Sequence, residues 1–211
     1  MEAYIITLKN NNLSTNAANI CAKSCRDHNI IPYFWEGFDG TGNELKTPEH
    51  LKGQAHVMFP SINNTKMTLA QIGCFMSHYS LWCWCIFKKY PIIILEHDAL
   101  IIKEYNNHKY PNIINYLGIN EQLDNPNIPP YVSIEGYNHK FIRTMGAYSI
   151  DPIMAKNLVS YVIKEGITKP TDVTLRLDYF SIVQDDIYAI RQNISSVIGD
   201  REMFQEPMWK E

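Results

Sequence analysis

The sequence has no apolar run that approaches the roughly 20 residues needed to span a membrane. It also lacks an excess of positive charge, because 19 lysines and arginines face 22 aspartates and glutamates, for a net charge of −3. Nucleic-acid binding needs a basic face that neutralises phosphates, so we expect no nucleic-acid partner. The N-terminus lacks the basic and apolar regions of a signal peptide, which predicts a chain that remains in the cytoplasm.

Motifs that would define several other enzyme classes are missing. The sequence contains no G-x-G-x-x-G, G-x-x-x-x-G-K-[ST], G-x-S-x-G or H-E-x-x-H. Its five cysteines are an odd number, which fits reduced thiols better than a disulfide framework. Cys83 and Cys85 are two positions apart in a predicted helix and point away from each other, so no zinc site is expected there.

The pattern that is present indicates one α/β domain. Hydrophobic residues make up 45% and charged residues 19% of the 211 residues, which suits a globular domain. The chain opens with a predicted strand at residues 4–8, a helix that Ser14 or Thr15 can cap, and a strand at residues 31–35. This β-α-β order favours a parallel sheet, so we predict a single domain over residues 1–211.

The clearest predicted element is a helix that begins after Thr68 and ends near Lys89. Thr68 and Gln71 have the spacing of a capping box, and Pro91 prevents the helix from continuing. The apolar, β-branched residues 92–95 then predict a buried strand. Later elements are predicted as a short helix around residues 113–117, strands at 131–134, 144–150 and 187–190, a helix between Asp151 and Gly166, and a helix from Thr171 or Asp172 to Phe180.

Two carboxylates follow the buried strand, at Glu96 and Asp98. Ligands of open α/β sheets bind at the carboxyl ends of strands, and residues two apart in an extended segment share a face. Oxygen ligands of this kind suit a hard divalent cation that also binds diphosphate. The alternative is an ordinary solvated strand end, and spacing alone does not decide between the two.

Residues 68–82 read T-L-A-Q-I-G-C-F-M-S-H-Y-S-L-W, and residues 94–99 read I-L-E-H-D-A. Together they resemble glycosyltransferase family 25, the family of lipopolysaccharide glycosyltransferases and collagen galactosyltransferases. That family has an L-x-x-E-I-G-C-x-x-S-H-x-x-x-W block before a strand that ends I-L-E-D-D-A. Residues 36–40, 146–148, 169–172 and 195–198 are also similar to segments of the family, more weakly and in the same order along the chain.

The resemblance implies a GT-A-like, Rossmann-type fold with a mainly parallel central sheet flanked by helices. Residues 1–100 would form the nucleotide-sugar-binding half and residues 101–211 the acceptor half. The implied reaction moves a hexose, galactose or glucose, from a UDP-hexose donor to a glycan or protein hydroxyl, with inversion and with a divalent metal, Mn²⁺. The implied site comprises Asp172 as catalytic base, Asp98 and Glu96 as metal ligands, and Thr7, Asp39, Gly73, Ser77, His78 and Glu96 as donor-binding residues.

A second hypothesis is a non-catalytic family member that binds a nucleotide sugar or a glycan. His97 stands where the family has an aspartate, Gln71 replaces a glutamate, and residues 9–15 contain a single cation instead of the family's arginines. Individual residues also have structural interpretations. His78 suits a hydrogen-bonded packing histidine inside a helix, and Asp172 suits a helix N-cap.

Overall fold

The computed structural model describes residues 1–52, 59–63, 66–109, 112–133, 140–184 and 186–192. Within these ranges the strands are β1 (Glu2–Thr7), β2 (Ile31–Glu36), β3 (Ile92–Glu96), β4 (Ala99–Ile101), β5 (Ile113–Tyr116), β6 (Tyr131–Ser133), β7 (Lys140–Ile142), β8 (Ala147–Ile150), β9 (Ser181–Val183) and β10 (Ala189–Arg191). The α-helices of the same ranges are α1 (Asn12–Asp27), α2 (Leu69–Lys88), α3 (Glu121–Asp124), α4 (Pro152–Glu165) and α5 (Thr171–Thr174).

The central sheet has the order β2-β1-β3-β8-β5-β9 over the described residues. Strands β2, β1 and β3 are parallel to one another, and β5 is parallel to β9. Only β8 runs antiparallel to its neighbours, β3 and β5, among these six strands. Two-stranded antiparallel ribbons, β4 with β10 and β6 with β7, lie outside this sheet. The predicted α/β class with a mainly parallel central sheet is confirmed.

Helices cover both faces of the sheet because successive side chains of a strand point in opposite directions. Ala3 and Ile5 of β1 pack in a buried cluster with Ala18 and Cys21 of α1. Their neighbours Tyr4 and Ile6 belong to a second buried cluster, which contains the apolar faces of α2 and α4. The sheet is therefore the middle layer of three, with two separate cores.

The helices with the strongest predicted caps are present in the structure. Thr68 caps α2, its side chain accepts from the Gln71 amide, and the Gln71 side chain accepts from the Thr68 amide, so the capping box is confirmed. Asp151 caps α4 in the same way, by accepting from the amides of Ile153 and Met154. Among the described helices, none combines the length and apolar character needed to cross a lipid bilayer.

Three local predictions are wrong. Residues 113–116 form strand β5 rather than a helix, because they fill the place between β8 and β9. The predicted helix to Phe180 ends at Thr174, where the chain turns to bond with β7. Asn11 caps α1, because the Ser14 hydroxyl accepts from the Leu8 amide instead. The family similarity at residues 195–198 lies outside the described residues.

Candidate functional site

The two predicted metal ligands lie in and next to a turn at the carboxyl end of β3. Glu96 is the last residue of the strand, His97 and Asp98 form the turn, and Ala99 begins β4. The turn is connected to the first turn of α1, because His97 Nδ1 lies 3.2 Å from the hydroxyl of Ser14. That hydroxyl also accepts from the amide of Leu8 at 2.9 Å.

A chain of buried hydrogen bonds leads to Glu96. The indole of Trp82 donates to the Tyr148 hydroxyl at 2.9 Å, and this hydroxyl lies 3.0 Å from His78 Nδ1. His78 Nε2 then makes a long contact of 3.5 Å with Glu96 Oε1. A His78 tautomer with its proton on Nε2 satisfies every member of this chain. His78 is fully buried, so it packs as a core histidine and also orients the carboxylate.

The same contacts keep Glu96 ionised. Burial alone raises the pKa of its carboxyl group, but the hydrogen bond from His78 and the charge of Arg191 act in the opposite direction. The resulting pKa is about 2. The thiol of Cys74 lies 3.8 Å from Glu96 Oε1, one helical turn before His78 on α2. Cys74, His78 and Glu96 thus present three potential metal ligands within 4.8 Å of one another.

Asp98 is a buried carboxylate with a guanidinium partner. Its side chain is 4% exposed, and its Oδ2 accepts from Arg191 Nε at 2.5 Å. Burial raises the pKa of Asp98, and the nearby charge of Glu96 raises it further, while Arg191 lowers it. The ion pair depends on the ribbon of β4 and β10, which places the end of β10 beside the turn.

Asp172 lies in the first turn of α5, where Pro170 and not Asp172 is the N-cap residue. Its carboxylate accepts from the amide of Val173 at 2.9 Å. Burial raises the pKa of Asp172, and the charge of Glu96 raises it further. The charge of Glu96 therefore raises the pKa of both Asp172 and Asp98. The capping interpretation from sequence does not account for Asp172.

A cleft of about 330 Å³ opens beside Asp98. This volume lies near the lower end of small-molecule pockets, which are roughly 300–1,000 Å³. Arg143 and Arg191 both line the cleft, together with the acidic residues Asp98 and Glu121. Gly146, another lining residue, lies over the Glu96 side chain, because a Cβ at this glycine would be 3.8 Å from Glu96 Oε2.

Two further predicted donor-binding residues, Gly73 and Ser77 of α2, support the loop that follows β2. Ser77 Oγ accepts from the Phe38 amide at 2.9 Å and donates to the Gly73 carbonyl at 2.7 Å. A Cβ at Gly73 would lie 2.7 Å from the Phe38 carbonyl oxygen, so α2 and this loop require glycine for their close approach. These residues hold the scaffold of the site together.

Thr7 and Asp39 lie at the same edge of the sheet, but the residues lining the described cleft do not include them. Thr7 ends β1, and its carbonyl accepts from the Gly37 amide at 2.9 Å. The Asp39 carboxylate accepts from the amide and hydroxyl of Thr41, at 2.9 and 2.6 Å. A donor-binding role for these two residues stays a prediction.

Sequence reasoning missed the two cleft arginines and Cys74. The spacing of Cys74 and His78, four residues apart in a helix, was a usable signal that both face the same direction. No local pattern marks Arg143 or Arg191, because their position depends on strand pairings between distant parts of the chain.

The family model described as Glycosyltransferase family 25 (LPS biosynthesis protein) matches residues 1–116, more than half of the chain. The chain therefore belongs to glycosyltransferase family 25. It is 32% identical over 74 residues to the lipooligosaccharide biosynthesis protein lic2B of Haemophilus influenzae. The match covers 35% of this chain and 26% of that protein, so the chain spans about a quarter of the length of this curated relative.

One solved structure aligns with most of this chain. It is described as a glycosyltransferase involved in the glycosylation of the major capsid of PBCV-1. The superposition has a TM-score of 0.47 and 12% sequence identity, and it covers 92% of this chain and 94% of that chain.

Proposed function

We propose that this protein transfers a hexose, galactose or glucose, from a UDP-hexose donor to a hydroxyl group of a glycan or protein, with inversion at the anomeric carbon. The observation that carries the proposal is the cleft that Asp98 lines together with Arg143 and Arg191. Glu96 lies two residues before Asp98, and its charge raises the pKa of Asp172. Membership of family 25 supports the reaction class. The name of the lic2B relative favours a lipooligosaccharide-type glycan as acceptor.

The residues present fit a divalent cation of the Mn²⁺ type. Glu96 and Asp98 offer carboxylate oxygens, which hard cations prefer. A bound cation would have to displace the guanidinium of Arg191 from Asp98 Oδ2, which would free Arg191 for the diphosphate. When bound there, the ion would offset the charge that develops on the leaving nucleoside diphosphate.

The side chains of the cleft have complementary roles in this proposal. Arg143 and Arg191 bind the diphosphate oxygens, a role for which a guanidinium group is well suited. Both come from the acceptor half, residues 101–211, so the diphosphate would lie between this half and residues 1–100. Asp172 accepts the proton of the acceptor hydroxyl as the oxygen attacks the sugar carbon, and its raised pKa makes it a stronger base.

The test is release of nucleoside diphosphate by the purified chain with Mn²⁺ and a panel of nucleotide sugars. We expect slow donor hydrolysis even without an acceptor, lost in Asp98→Ala and after chelation. Asp124→Ala is the matched control, because Asp124 is exposed on α3 and is not among the cleft residues. Hydrolysis that survives both chelation and Asp98→Ala would exclude the metal assignment.

A specific observation favours the second candidate, a non-catalytic nucleotide-sugar-binding protein. The ion pair with Arg191 partly neutralises Asp98, and His97 provides no carboxylate between the two acidic residues. Calorimetry separates the two functions, since this one requires donor binding without turnover. His97→Asp should then restore hydrolysis. Absence of donor binding with any metal would contradict both functions.

We also propose a cytoplasmic location. All five cysteines are free, and four of them are buried. Unpaired thiols are typical of reducing compartments, which supports this proposal.

A further inference from the structure

The cluster of Cys74, His78 and Glu96 has a composition that the hexose-transfer reaction does not require. A hard cation such as Mn²⁺ prefers oxygen ligands, whereas a thiol and an imidazole together suit a softer ion. The three ligand atoms, Sγ, a ring nitrogen and a carboxylate oxygen, lie within 4.8 Å of one another. We propose that these three side chains form a binding site for Zn²⁺, separate in its ligand set from the Glu96–Asp98 pair.

Two of the three distances between ligand atoms are close to those of a tetrahedral ion, and the third, between Cys74 and His78, is within 4.8 Å. Zinc bonds of about 2.3 Å to sulfur and about 2.0–2.1 Å to nitrogen and oxygen place neighbouring ligand atoms roughly 3.3–3.6 Å apart. His78 Nε2 lies 3.5 Å from Glu96 Oε1, and Cys74 Sγ lies 3.8 Å from the same oxygen. Shifts of a few tenths of an ångström are therefore enough to bring these two pairs to tetrahedral spacing.

The support around the ligands also resembles that of a zinc site. Cys74 and His78 are four residues apart on α2, and Glu96 ends the adjacent strand β3, so all three come from rigid elements. The second ring nitrogen of His78 lies 3.0 Å from the Tyr148 hydroxyl. A ligand histidine typically has such an outer partner, which fixes its ring. With zinc on Nε2, Nδ1 would carry the proton and donate to Tyr148.

An unpartnered polar group beside the cluster is a further observation. Thr171 is 4% exposed, and its hydroxyl has no hydrogen-bond partner of acceptable geometry in the described part of the chain. It nevertheless lies close enough to Cys74 to affect the thiol. A buried polar group of this kind requires a partner, and water or hydroxide on the fourth zinc position would supply one. Binding of the ion releases the thiol proton of Cys74 to solvent.

Because Glu96 belongs to both ligand sets, Zn²⁺ and the Mn²⁺ of the proposed transferase reaction compete. Zinc would thus inhibit the enzyme by withdrawing Glu96 from the Glu96–Asp98 pair. Only this consequence rests on the proposed function. The binding of zinc itself does not.

The experiment is titration of the metal-free full chain with Co²⁺ and then Zn²⁺, without any nucleotide sugar. We expect a thiolate-to-cobalt charge-transfer band that Zn²⁺ displaces. The band should be present in Cys83→Ser, the same change at a buried cysteine of the same helix, and absent in Cys74→Ser. Replacing a residue that only contacts a metal ligand typically weakens metal binding by about 10–100-fold. Because Cys74 would bind the ion directly, calorimetry should show a larger loss of Zn²⁺ affinity in Cys74→Ser.

Two results would overturn the proposal: no charge-transfer band in the unmodified chain, or a band of equal intensity in Cys74→Ser. Glu96→Gln provides a second test that leaves the thiol intact, and it should weaken Zn²⁺ binding as well. A failure of hexose transfer does not bear on these measurements. If donor hydrolysis is observed, Zn²⁺ should inhibit it in Cys83→Ser and much less in Cys74→Ser.

Discussion

Tyr148→Phe should destabilise the protein far more than Tyr116→Phe. These two tyrosines face each other across the pairing of β8 and β5, and at most 1% of either residue is exposed. Their hydroxyl groups differ. The Tyr148 hydroxyl accepts from Trp82 and lies 3.0 Å from His78, whereas the Tyr116 hydroxyl makes no hydrogen bond with the described residues.

The expected magnitude follows from the groups that lose a partner. Tyr148→Phe leaves the indole N–H of the fully buried Trp82 without an acceptor, which costs about 1–3 kcal/mol. Loss of the hydrogen bond with His78 adds about 1 kcal/mol. With a shift of about 2–4 °C per kcal/mol for a domain of this size, the melting temperature should fall by roughly 4–16 °C. Tyr116→Phe removes an unsatisfied polar group, so we expect a change within about 0.5 kcal/mol or a small gain.

Urea unfolding followed by tryptophan fluorescence and far-ultraviolet circular dichroism measures both free energies of unfolding. The two probes should give coincident transitions if the domain unfolds in two states. Equal losses for the two variants, or a loss below about 0.5 kcal/mol for Tyr148→Phe, would refute the hydrogen-bond chain from Trp82 to Glu96.

Three further predictions concern the site. Gly73→Ala should lower the free energy of unfolding by about 1–3 kcal/mol in urea titrations, because its Cβ would be 2.7 Å from backbone, whereas Gly42→Ala has open space and should be neutral. Asp172→Asn should lower the transfer rate by about 10²–10⁴-fold while calorimetry shows unchanged donor affinity, and retained transfer would remove the base assignment. The pKa of Glu96 is lowered from an ordinary 4.5 to about 2 in the folded protein, so its ionised form stabilises the fold above pH 4.5. This contribution to the free energy of unfolding is lost as the pH falls toward 2. Glu96→Gln should therefore show a flatter loss of stability over that range in urea titrations at successive pH values.

Elements with strong local signals could be predicted from sequence, and elements defined by distant partners could not. The α2 capping box and the apolar run of β3 are encoded within a few residues, and both elements lie where expected. Strand β5 has no such signal. Its conformation depends on β8 and β9, which follow it in the chain and provide its pairing partners.

The same distinction applies to the site. Glu96 and Asp98 could be recognised as candidates from their position after a buried strand, and their role as metal ligands stays a prediction. The partner of Asp98 could not be recognised, because Arg191 is 93 residues away and reaches it through the antiparallel pairing of β4 and β10. The interpretation of Asp172 as a cap fails for a local reason, since Pro170 precedes it at the helix start.

The reversed direction of β8 has a consequence for redesign of substrate choice. Because β8 is antiparallel to β3, residues 143–146, which precede it, lie at the edge of the sheet where β3 ends. A library confined to Thr144, with Arg143 retained, would therefore vary the cleft wall without altering any helix or any strand of the central sheet. Laboratory evolution of new specificities could start from this position, with the two cores left unchanged.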